Sequence, residues 1–232
     1  MPAAADKTAF LAGDALRRAE TWIFDLDNTL YPARCNLFAQ IDQRMGEFIC
    51  GHFGIALEDA KRQQKGFFNR HGTTLRGLMV EHGIDPAAFL EYVHDIDVSV
   101  VPPAPELDAA LDRLPGRKMI YTNGTVAHAD RVLQRLGIAH HFEAVFDIVS
   151  SQYLPKPQET PYRRLLDAHA VDPRSAVMVE DMARNLVPAA ALGMTTVWIP
   201  THEAWSAPDD GDGHIHHIAP DLTAFLTDLT RG

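Results

Sequence analysis

The sequence has little basic charge, almost no cysteine and no long apolar run. Its 232 residues include 31 acidic but only 21 basic side chains, and the formal net charge of -10 disfavours nucleic acid or an anionic membrane surface as a partner. Only two cysteines occur, Cys35 and Cys50, without C-x-x-C spacing, so neither a disulfide framework nor a zinc site is indicated. No apolar stretch approaches the about 20 residues of a transmembrane helix, and the opening residues lack the pattern of a secretory leader. We therefore expect a cytoplasmic protein.

Short apolar runs rich in β-branched residues alternate with longer segments of helical periodicity. The runs are WIF, KMIYT, AVFDIVS, AVMVE and TTVWI, and the helical segments include APELDAALDRL, VAHADRVLQRLGI, TPYRRLLDAHA and ARNLVPAAALG. This alternation predicts an α/β fold with a three-layer, Rossmann-like core, in which a parallel sheet lies between two layers of helices. Thr160 is the predicted N-cap of the third helical segment, and Gly137 and Gly193 are predicted C-caps.

One long stretch interrupts the alternation. Between residues 33 and 101 the sequence shows only helix-like pieces, the last of which begins at the pair Asp85-Pro86. The proline-rich segment VPPAPE then suits a return linker. We therefore predict a core domain made of residues 1–32 and 102–232, and an inserted all-helical cap domain over residues 33–101. The segment APDDGDGHIHHIAP, residues 207–220, is rich in turn residues and predicts a mobile surface loop.

Charged and polar side chains follow four of the predicted strands at the point where each strand ends. In an open α/β sheet, ligands bind at this carboxyl edge. The side chains in question are Asp25 and Asp27 after the first strand, Thr122 and Asn123 after the second, Lys156 between Pro155 and Pro157 after the third, and Glu180 and Asp181 after the fourth.

So much negative charge in one crevice requires a cation, and carboxylate oxygens suit Mg²⁺. Asp25 and Asp27 are two residues apart, which places them on the same side of an extended backbone. With Mg²⁺ bound by Asp25 and Asp181, Asp25 can stay ionised and act as a nucleophile, while Lys156 offsets the remaining charge and holds a phosphate oxygen. Thr122 and the amides that follow it add donors for the same anion. The residues therefore predict phosphoryl transfer.

The segments DLDNTLY, YTNG, PKPQ and VEDMARNL resemble the four motifs of the haloacid dehalogenase superfamily of phosphohydrolases, in the same order. The resemblance implies that Asp25 forms an aspartyl-phosphate and that Asp27 protonates the leaving alcohol and later deprotonates water. It implies Mg²⁺ held by the side chains of Asp25 and Asp181 and by the backbone carbonyl of Asp27. It also implies that the helical insertion is a C1 cap of subfamily IA, which excludes water and selects the substrate. Asn28 and Glu180 depart from the common Gly and Asp, and a metal-binding role for Glu180 is left open.

At a finer level, DLDNTLYP, HGTTLRGL and VEDMARNL resemble the pyrimidine 5′-nucleotidases. In HGTTLRGL, hydroxyls and Arg76 lie near Gly72 and Gly77, which predicts a loop lowered over the mouth of the site. Thr73 and Arg76 would bind the carbonyl acceptors of a pyrimidine ring. The hypothesis is a monomeric or homodimeric Mg²⁺-dependent phosphomonoesterase acting on a small phosphorylated metabolite, a pyrimidine nucleoside 5′-monophosphate.

Other functions are compatible with parts of this pattern. A phosphatase or phosphomutase for a sugar phosphate or another small metabolite would use the same motifs with a different cap. A non-catalytic phosphate-binding regulatory module would be signalled by loss of Asp25 or Asp27, and neither is lost. A dehalogenase is disfavoured because its chemistry needs neither a metal-bound phosphate site nor the second aspartate. The histidines, including His140-His141 and those of HIHH, are interpreted as structural.

Overall fold

A computed structural model describes residues 15–201, 206–208 and 213–231 of the chain. In these residues six strands form one parallel sheet in the spatial order β3-β2-β1-β4-β5-β6. The strands are β1 (Thr21–Phe24), β2 (Arg117–Tyr121), β3 (Ala144–Phe146), β4 (Ala176–Glu180), β5 (Thr195–Trp198) and β6 (His217–Ile218). The first five confirm the predicted strands. Because β2 and β4 flank β1 on opposite sides, the direction of strand addition reverses at β1, where open α/β sheets form their binding crevice.

Helices connect the strands. Four follow β1: α1 (Leu37–Phe53), α2 (Leu57–His71), α3 (Thr74–His82) and α4 (Pro86–Val93). The others are α5 (Pro105–Arg113) before β2, α6 (Val126–Leu136) after β2, α7 (Glu159–His169) before β4, α8 (Ala183–Ala191) after β4, and α9 (Leu222–Leu229) after β6. Short 3-10 turns occur at Ala33–Cys35, Val98–Val100, Ala139–His141 and Pro173–Ser175. Within the described ranges, none of the helices combines the length and the apolar character needed to cross a bilayer.

Two of the four predicted helix caps are confirmed. Asp85 accepts a hydrogen bond from the backbone of Ala87 at 3.0 Å and so caps α4, and Gly137 ends α6 in the left-handed region at φ 82°. The prediction for Thr160 was wrong, because the N-cap of α7 is Gln158, two residues earlier, and the helix begins at Glu159. Gly193, at φ 99°, lies one residue beyond the C-cap of α8 rather than at it.

Alternate side chains of the buried strands point to opposite faces of the sheet. In β1, Trp22 and Phe24 belong to one apolar cluster and Ile23 to another. The first cluster includes residues of α5, α6 and α9, and the second includes residues of α7 and α8. The sheet is therefore covered by helices on both faces, which confirms the predicted three-layer α/β, Rossmann-like class.

The first apolar cluster continues into the helical insertion, residues 33–101. It includes buried side chains from each of α1 to α4, among them Ile41, Phe67, Leu78 and Phe89. As the sequence predicted, residues 33–101 form helices α1 to α4 and contain no strand. The division into a core domain and a cap domain stays a prediction.

In segment HGTTLRGL only Gly72 and Thr73, between α2 and α3, are non-helical, so the prediction of a loop over the whole segment was wrong. Thr73 is the N-cap of α3, and Gly77 lies inside that helix. A Cβ atom built on Gly77 would lie 2.4 Å from Phe67 Cβ of α2. The glycine therefore permits the close approach of two helices rather than a break in one.

The C-terminal histidine segment is also more ordered than predicted. Residues 209–212 of the predicted loop lie outside the described residues. Beyond them, Thr196 of β5 donates its hydroxyl to the His214 carbonyl at 2.6 Å, and its backbone N–H donates to His216 Nδ1 at 3.0 Å. These bonds lead into β6, a two-residue strand that is too short to show periodicity in the sequence.

Candidate active site

Carboxylates gather at the carboxyl ends of β1 and β4. Asp25 extends the pairing of these strands, because its backbone N–H donates to the Val179 carbonyl at 2.9 Å. Asp25, Glu180 and Asp181 each offer a carboxylate oxygen, and these oxygens all lie within 4.8 Å of one another. All three residues are buried. We call them the acidic cluster; the sheet topology alone brings them together.

Lys156 reaches the acidic cluster from the loop after β3. Its Nζ donates to Asp25 Oδ1 at 2.6 Å and to the Tyr121 carbonyl at 2.9 Å, and it lies 3.4 Å from Glu180 Oε1. The Thr29 hydroxyl donates to the other Asp25 oxygen at 3.0 Å. Burial disfavours the ammonium, but the carboxylates of Asp25 and Glu180 hold the pKa of Lys156 above its ordinary value. A buried positive charge therefore orients Asp25.

The acidic cluster carries more negative charge than one lysine neutralises. Burial, and then the Asp25 carboxylate, raise the pKa values of Glu180 and Asp181 well above their ordinary range. Asn185 donates to Glu180 Oε1 and Asn28 to the Asp181 carboxylate, whereas Glu180 Oε2 and Asp181 Oδ2 are buried without a hydrogen-bond partner. Three carboxylates whose oxygens approach within 4.8 Å, two of them with an unpartnered oxygen, suit a hard divalent cation, so the residues fit Mg²⁺, which would lower both pKa values.

Asp27 is held apart from the acidic cluster. Its Oδ1 accepts two hydrogen bonds, from the Tyr31 hydroxyl at 2.6 Å and from His128 Nε2 at 2.9 Å. Burial raises the pKa of Asp27, but His128 and Tyr31 outweigh burial, so the pKa lies below its ordinary value. Burial and the Asp27 carboxylate raise the pKa of Tyr31 well above its usual range. The two aspartates of DLDNTLY therefore stand in different environments.

Thr122 and Asn123 lie at the end of β2. Thr122 is buried, and its Oγ1 accepts the backbone N–H of Gly124 at 2.9 Å. The Gly124 amide is therefore engaged within the loop, contrary to the expectation that it would bind an anion. Asn123 Oδ1 accepts the backbone N–H of Lys156 at 2.9 Å, so Asn123 fixes the loop that carries the lysine.

Thr73 and Arg76 lie outside the acidic cluster, at the start of α3. Thr73 Oγ1 accepts the backbone N–H of Arg76 at 3.1 Å and so caps the helix. Arg76 lines a cavity of about 460 Å³. The other lining residues are Arg70, His71, Gly72 and Val80 of the insertion, with Pro155, Pro157 and Gln158 after β3. Because Pro155 and Pro157 flank Lys156, the cavity adjoins the loop that reaches Asp25.

Three neighbours of the aspartates were missed by the sequence analysis: Thr29, Tyr31 and His128. Thr29 and Tyr31 lie four residues after Asp25 and Asp27, respectively, inside the motif itself. A polar side chain at that spacing in the turn after a strand was an available signal. His128 lies 101 residues from Asp27. The sequence feature that could have identified it is its position in the first turn of α6, shortly after the polar residues that end β2.

A second group of potential ligands lies elsewhere, where Nε2 of His141 and of His140 approach Asp108 Oδ1 at 2.7 and 3.3 Å. The three ligand atoms lie within 4.8 Å of one another. Unlike Asp181 Oδ2, the Asp108 oxygen is already engaged by two imidazoles. The contacts join α5 to the 3-10 turn Ala139–His141, which favours the structural interpretation of these histidines.

Comparisons with known proteins give a family match, a curated relative and similar solved structures. Residues 20–193 match the family model described as a haloacid dehalogenase-like hydrolase. Among curated proteins, the chain is similar to Phosphate metabolism protein 8 of Saccharomyces cerevisiae, at 24% identity over 193 residues and 75% of this chain. The chain spans 60% of the length of that relative.

Solved structures of the same fold include proteins with different ligands. A mutant of CbbY from Rhodobacter sphaeroides in complex with xylulose-(1,5)bisphosphate matches with a TM-score of 0.63 and 16% identity, over 88% of this chain and 95% of that chain. YfnB from Bacillus subtilis bound to magnesium matches at 0.59 and 15%, over 91% and 99%. L-2-haloacid dehalogenase from Xanthobacter autotrophicus, with chloropropionic acid covalently bound, matches at 0.57 and 15%, over 92% and 99%. At these identities the likeness shows the fold.

Proposed function

The chain belongs to the haloacid dehalogenase-like hydrolases, and we propose that it is a Mg²⁺-dependent phosphomonoesterase that hydrolyses pyrimidine nucleoside 5′-monophosphates through a phosphorylated Asp25. The observation that carries the proposal is the contrast between two aspartates in one motif. Asp25 accepts from Lys156 beside carboxylate oxygens that lack a partner, which suits a nucleophile next to a cation. Asp27 accepts from Tyr31 and His128, which suits a group that transfers protons.

In the proposed reaction an Asp25 oxygen attacks phosphorus while the bond from phosphorus to the ester oxygen breaks. Asp27 gives its proton to that oxygen, so the product leaves as a neutral alcohol. As a carboxylate, Asp27 then takes a proton from water, whose oxygen attacks the phosphorus of phospho-Asp25 and releases inorganic phosphate. A phosphate dianion bound nearby raises the pKa of Asp27 and opposes the effect of His128, which allows Asp27 to carry the proton in the first step.

Three further strand-end residues, Asp181, Lys156 and Thr122, have roles in this scheme. Mg²⁺, when bound, draws electron density from the phosphoryl oxygens and reduces their repulsion by Asp25. We assign it to the side chains of Asp25 and Asp181 and the backbone carbonyl of Asp27. Lys156 orients Asp25 and offers charge to a phosphoryl oxygen, and the Thr122 hydroxyl, which has no acceptor among the described residues, donates to another.

The cavity beside the Lys156 loop supports the substrate class. Arg70 in its wall is paired with Glu81 at 2.8 Å. The Arg76 guanidinium has no hydrogen-bond or ion-pair partner within the described ranges, so it is free to bind a ligand. Thr73 follows Gly72 of the cavity wall but does not line the cavity itself; its oxygen accepts from the backbone, and its hydroxyl hydrogen has no acceptor within the described ranges. Both would bind the carbonyl oxygens of a pyrimidine base.

A second candidate is a phosphatase or phosphomutase for a sugar phosphate. The same free guanidinium would bind a second phosphate group, since Arg pairs well with phosphate. The fold neighbour CbbY was solved in complex with a sugar bisphosphate. Both candidates use the same phosphoryl transfer to Asp25 and differ in the part of the substrate that the cavity binds.

The test compares kcat/KM for UMP, CMP, AMP and a sugar bisphosphate with Mg²⁺, in the parent, in Arg76→Ala and in the control Arg62→Ala on the exposed face of α2. We expect UMP and CMP to be preferred, and the preference to be lost in Arg76→Ala alone. A preference for the bisphosphate supports the second candidate, and equal rates for UMP and AMP contradict the pyrimidine assignment.

Asp25→Asn tests the chemistry independently of the substrate. We expect a folded protein without turnover and, after acid quenching of the reacting parent, covalent phosphate on the parent but not on the variant. Turnover by Asp25→Asn would contradict the nucleophile assignment. A folded, Mg²⁺-loaded parent that binds phosphate monoesters and hydrolyses none of them would be a binding module instead.

A further inference from the structure

We propose that Tyr31 and His128 are positioning residues for Asp27: together they fix its Oδ1 and leave Oδ2 as the oxygen that exchanges protons with the leaving group and with water. The inference rests on the proposed function, because it assigns how Asp27 is kept ready for its role there. Tyr31 lies inside the first motif and His128 lies outside all four, and neither was assigned a role in the sequence analysis.

The geometry shows why a carboxylate here needs two donors. Rotation about the last torsion of an aspartate side chain has only broad, shallow preferences, so packing alone orients the two oxygens poorly. The Tyr31 hydroxyl and His128 Nε2 both donate to Oδ1 of Asp27, at 2.6 and 2.9 Å. Two donors arriving at one oxygen from different parts of the chain fix the carboxylate plane. The Asp27 side chain keeps 16% of its surface exposed, so it is reachable from the crevice.

The surroundings of His128 show that its imidazole serves Asp27. The residue is 1% exposed, and its Nδ1 is buried without a hydrogen-bond partner. Burying an unpartnered polar nitrogen costs free energy that an apolar side chain of similar size would avoid. Among the described residues, the imidazole of His128 hydrogen-bonds only to Asp27. Packing of α6 therefore does not account for a histidine here, whereas orientation of Asp27 does.

The same helix also holds the chain that returns from the helical insertion. The ring of His94, just after α4, stacks on His128 with centroids 4.5 Å apart and an interplanar angle of 10°. Arg131 of α6 donates to the His94 carbonyl at 2.7 Å, and Arg135 donates to the Ser99 carbonyl at 3.1 Å. Helix α6 thus links the base of the insertion to the carboxylate of Asp27. Residues of the returning chain therefore contact the same helix that carries the partner of Asp27.

The dependence of the rate on the leaving group distinguishes positioning from a general structural role. An alkyl ester such as UMP needs a proton as its alcohol departs, whereas p-nitrophenyl phosphate needs little. The ratio kcat/KM reports phosphoryl transfer to Asp25 and excludes the later hydrolysis step. We expect Tyr31→Phe and His128→Leu to lower kcat/KM at least about tenfold for UMP, or for the best alkyl monoester, and less than about threefold for p-nitrophenyl phosphate. We expect His128→Gln, whose amide places an N–H near the Nε2 position, to recover most of the loss.

Matched controls are Tyr92→Phe and His52→Gln, in α4 and α1, and we expect both to leave the two rates unchanged. Melting temperatures of all variants show which are folded. Equal losses on both substrates in a folded Tyr31→Phe protein, or no loss on either, would overturn the proposal.

A measurement without turnover separates this proposal from the proposed function. In nitrogen-15 histidine-labelled parent, we expect a slowly exchanging proton on His128 Nε2 that disappears in His128→Gln and shifts in Tyr31→Phe. Absence of that proton signal overturns the positioning role even if monoesters are hydrolysed. A parent that shows the signal but hydrolyses no monoester refutes the proposed function and leaves the Asp27 contact standing.

Discussion

Lys156→Met tests the electrostatic account of the site, because methionine has a similar length but no charge. In the structure, Lys156 Nζ donates to Asp25 Oδ1 at 2.6 Å and lies 3.4 Å from Glu180 Oε1, and both carboxylates are buried. Removing one member of a buried ion pair costs about 3–5 kcal/mol, since the other charge stays buried without compensation. We expect the free energy of unfolding without metal to fall by about this amount. For a chain of this size the melting temperature would fall by about 6–20 °C.

The assay is urea unfolding near neutral pH, in EDTA and again with excess Mg²⁺. Magnesium should recover part of the loss in Lys156→Met, because a cation at the acidic cluster compensates the same carboxylates. The double variant Lys156→Met/Asp25→Asn should also be more stable than Lys156→Met, since one uncompensated charge is gone. Lys61→Met, on the exposed face of α2, is the matched control and should unfold like the parent.

Two results would refute this reasoning. A Lys156→Met protein within about 1 kcal/mol of the parent in EDTA would show that the buried ammonium does not stabilise the acidic cluster. A loss that neither Mg²⁺ nor Asp25→Asn reduces would show that packing, rather than uncompensated charge, is what the substitution disturbs.

Three further predictions follow from other parts of the molecule. Gly77→Ala places a Cβ 2.4 Å from Phe67 Cβ, so we expect chemical denaturation to show a loss of about 1–3 kcal/mol, and no loss for Gly51→Ala, which has nothing within 4 Å. Burial lowers the pKa of His94 from 6.5 to about 3, so its neutral ring contributes fully above pH 6.5 and less as the pH falls towards 3. Between pH 6.5 and pH 5 we expect a loss of about 1.6 kcal/mol that is absent in His94→Phe. Asp181→Ala removes a buried oxygen ligand, so we expect activity to need at least about tenfold more Mg²⁺ in a titration.

Each of these three predictions would be contradicted by a specific result. A Gly77→Ala protein as stable as the parent would mean that α3 moves away from α2 at no cost. The same acid sensitivity in His94→Phe as in the parent would assign the effect to other groups. An unchanged Mg²⁺ requirement in Asp181→Ala would remove that carboxylate from the metal site.

The sequence was informative where the fold itself dictates proximity. Parallel strands put their carboxyl ends on one edge, so recognising the apolar runs was enough to bring Asp25 and Asp181 together. Lys156 lies ten residues beyond the end of β3 and reaches the site through a loop whose path the apolar runs do not specify. The contact between Asp27 and His128 depends on where α6 starts and how it is rotated, which periodicity does not specify.

Glycine was the main source of error in local structure. The sequence analysis interpreted Gly72 and Gly77 in the same way, as residues of a loop. In the structure Gly72 ends α2 at φ 84°, whereas Gly77 lies inside α3 against Phe67. Whether a glycine marks a turn or a close helix contact depends on a partner helix that the local sequence does not name. Strand β6 was missed for a different reason, because two residues carry no pattern.

The apolar cluster that runs from the sheet into the insertion limits how this chain can be redesigned. Trp22 and Phe24 of β1 share one interior with Ile41 and Phe89 of the insertion. A chimera that exchanged residues 33–101 for those of a relative would therefore divide a continuous interior and join two halves that were not selected to fit. Transfer of specificity between relatives would require the apolar residues on the sheet side of that interior to be exchanged as well. We therefore do not expect an exchange of residues 33–101 alone to transfer substrate selectivity.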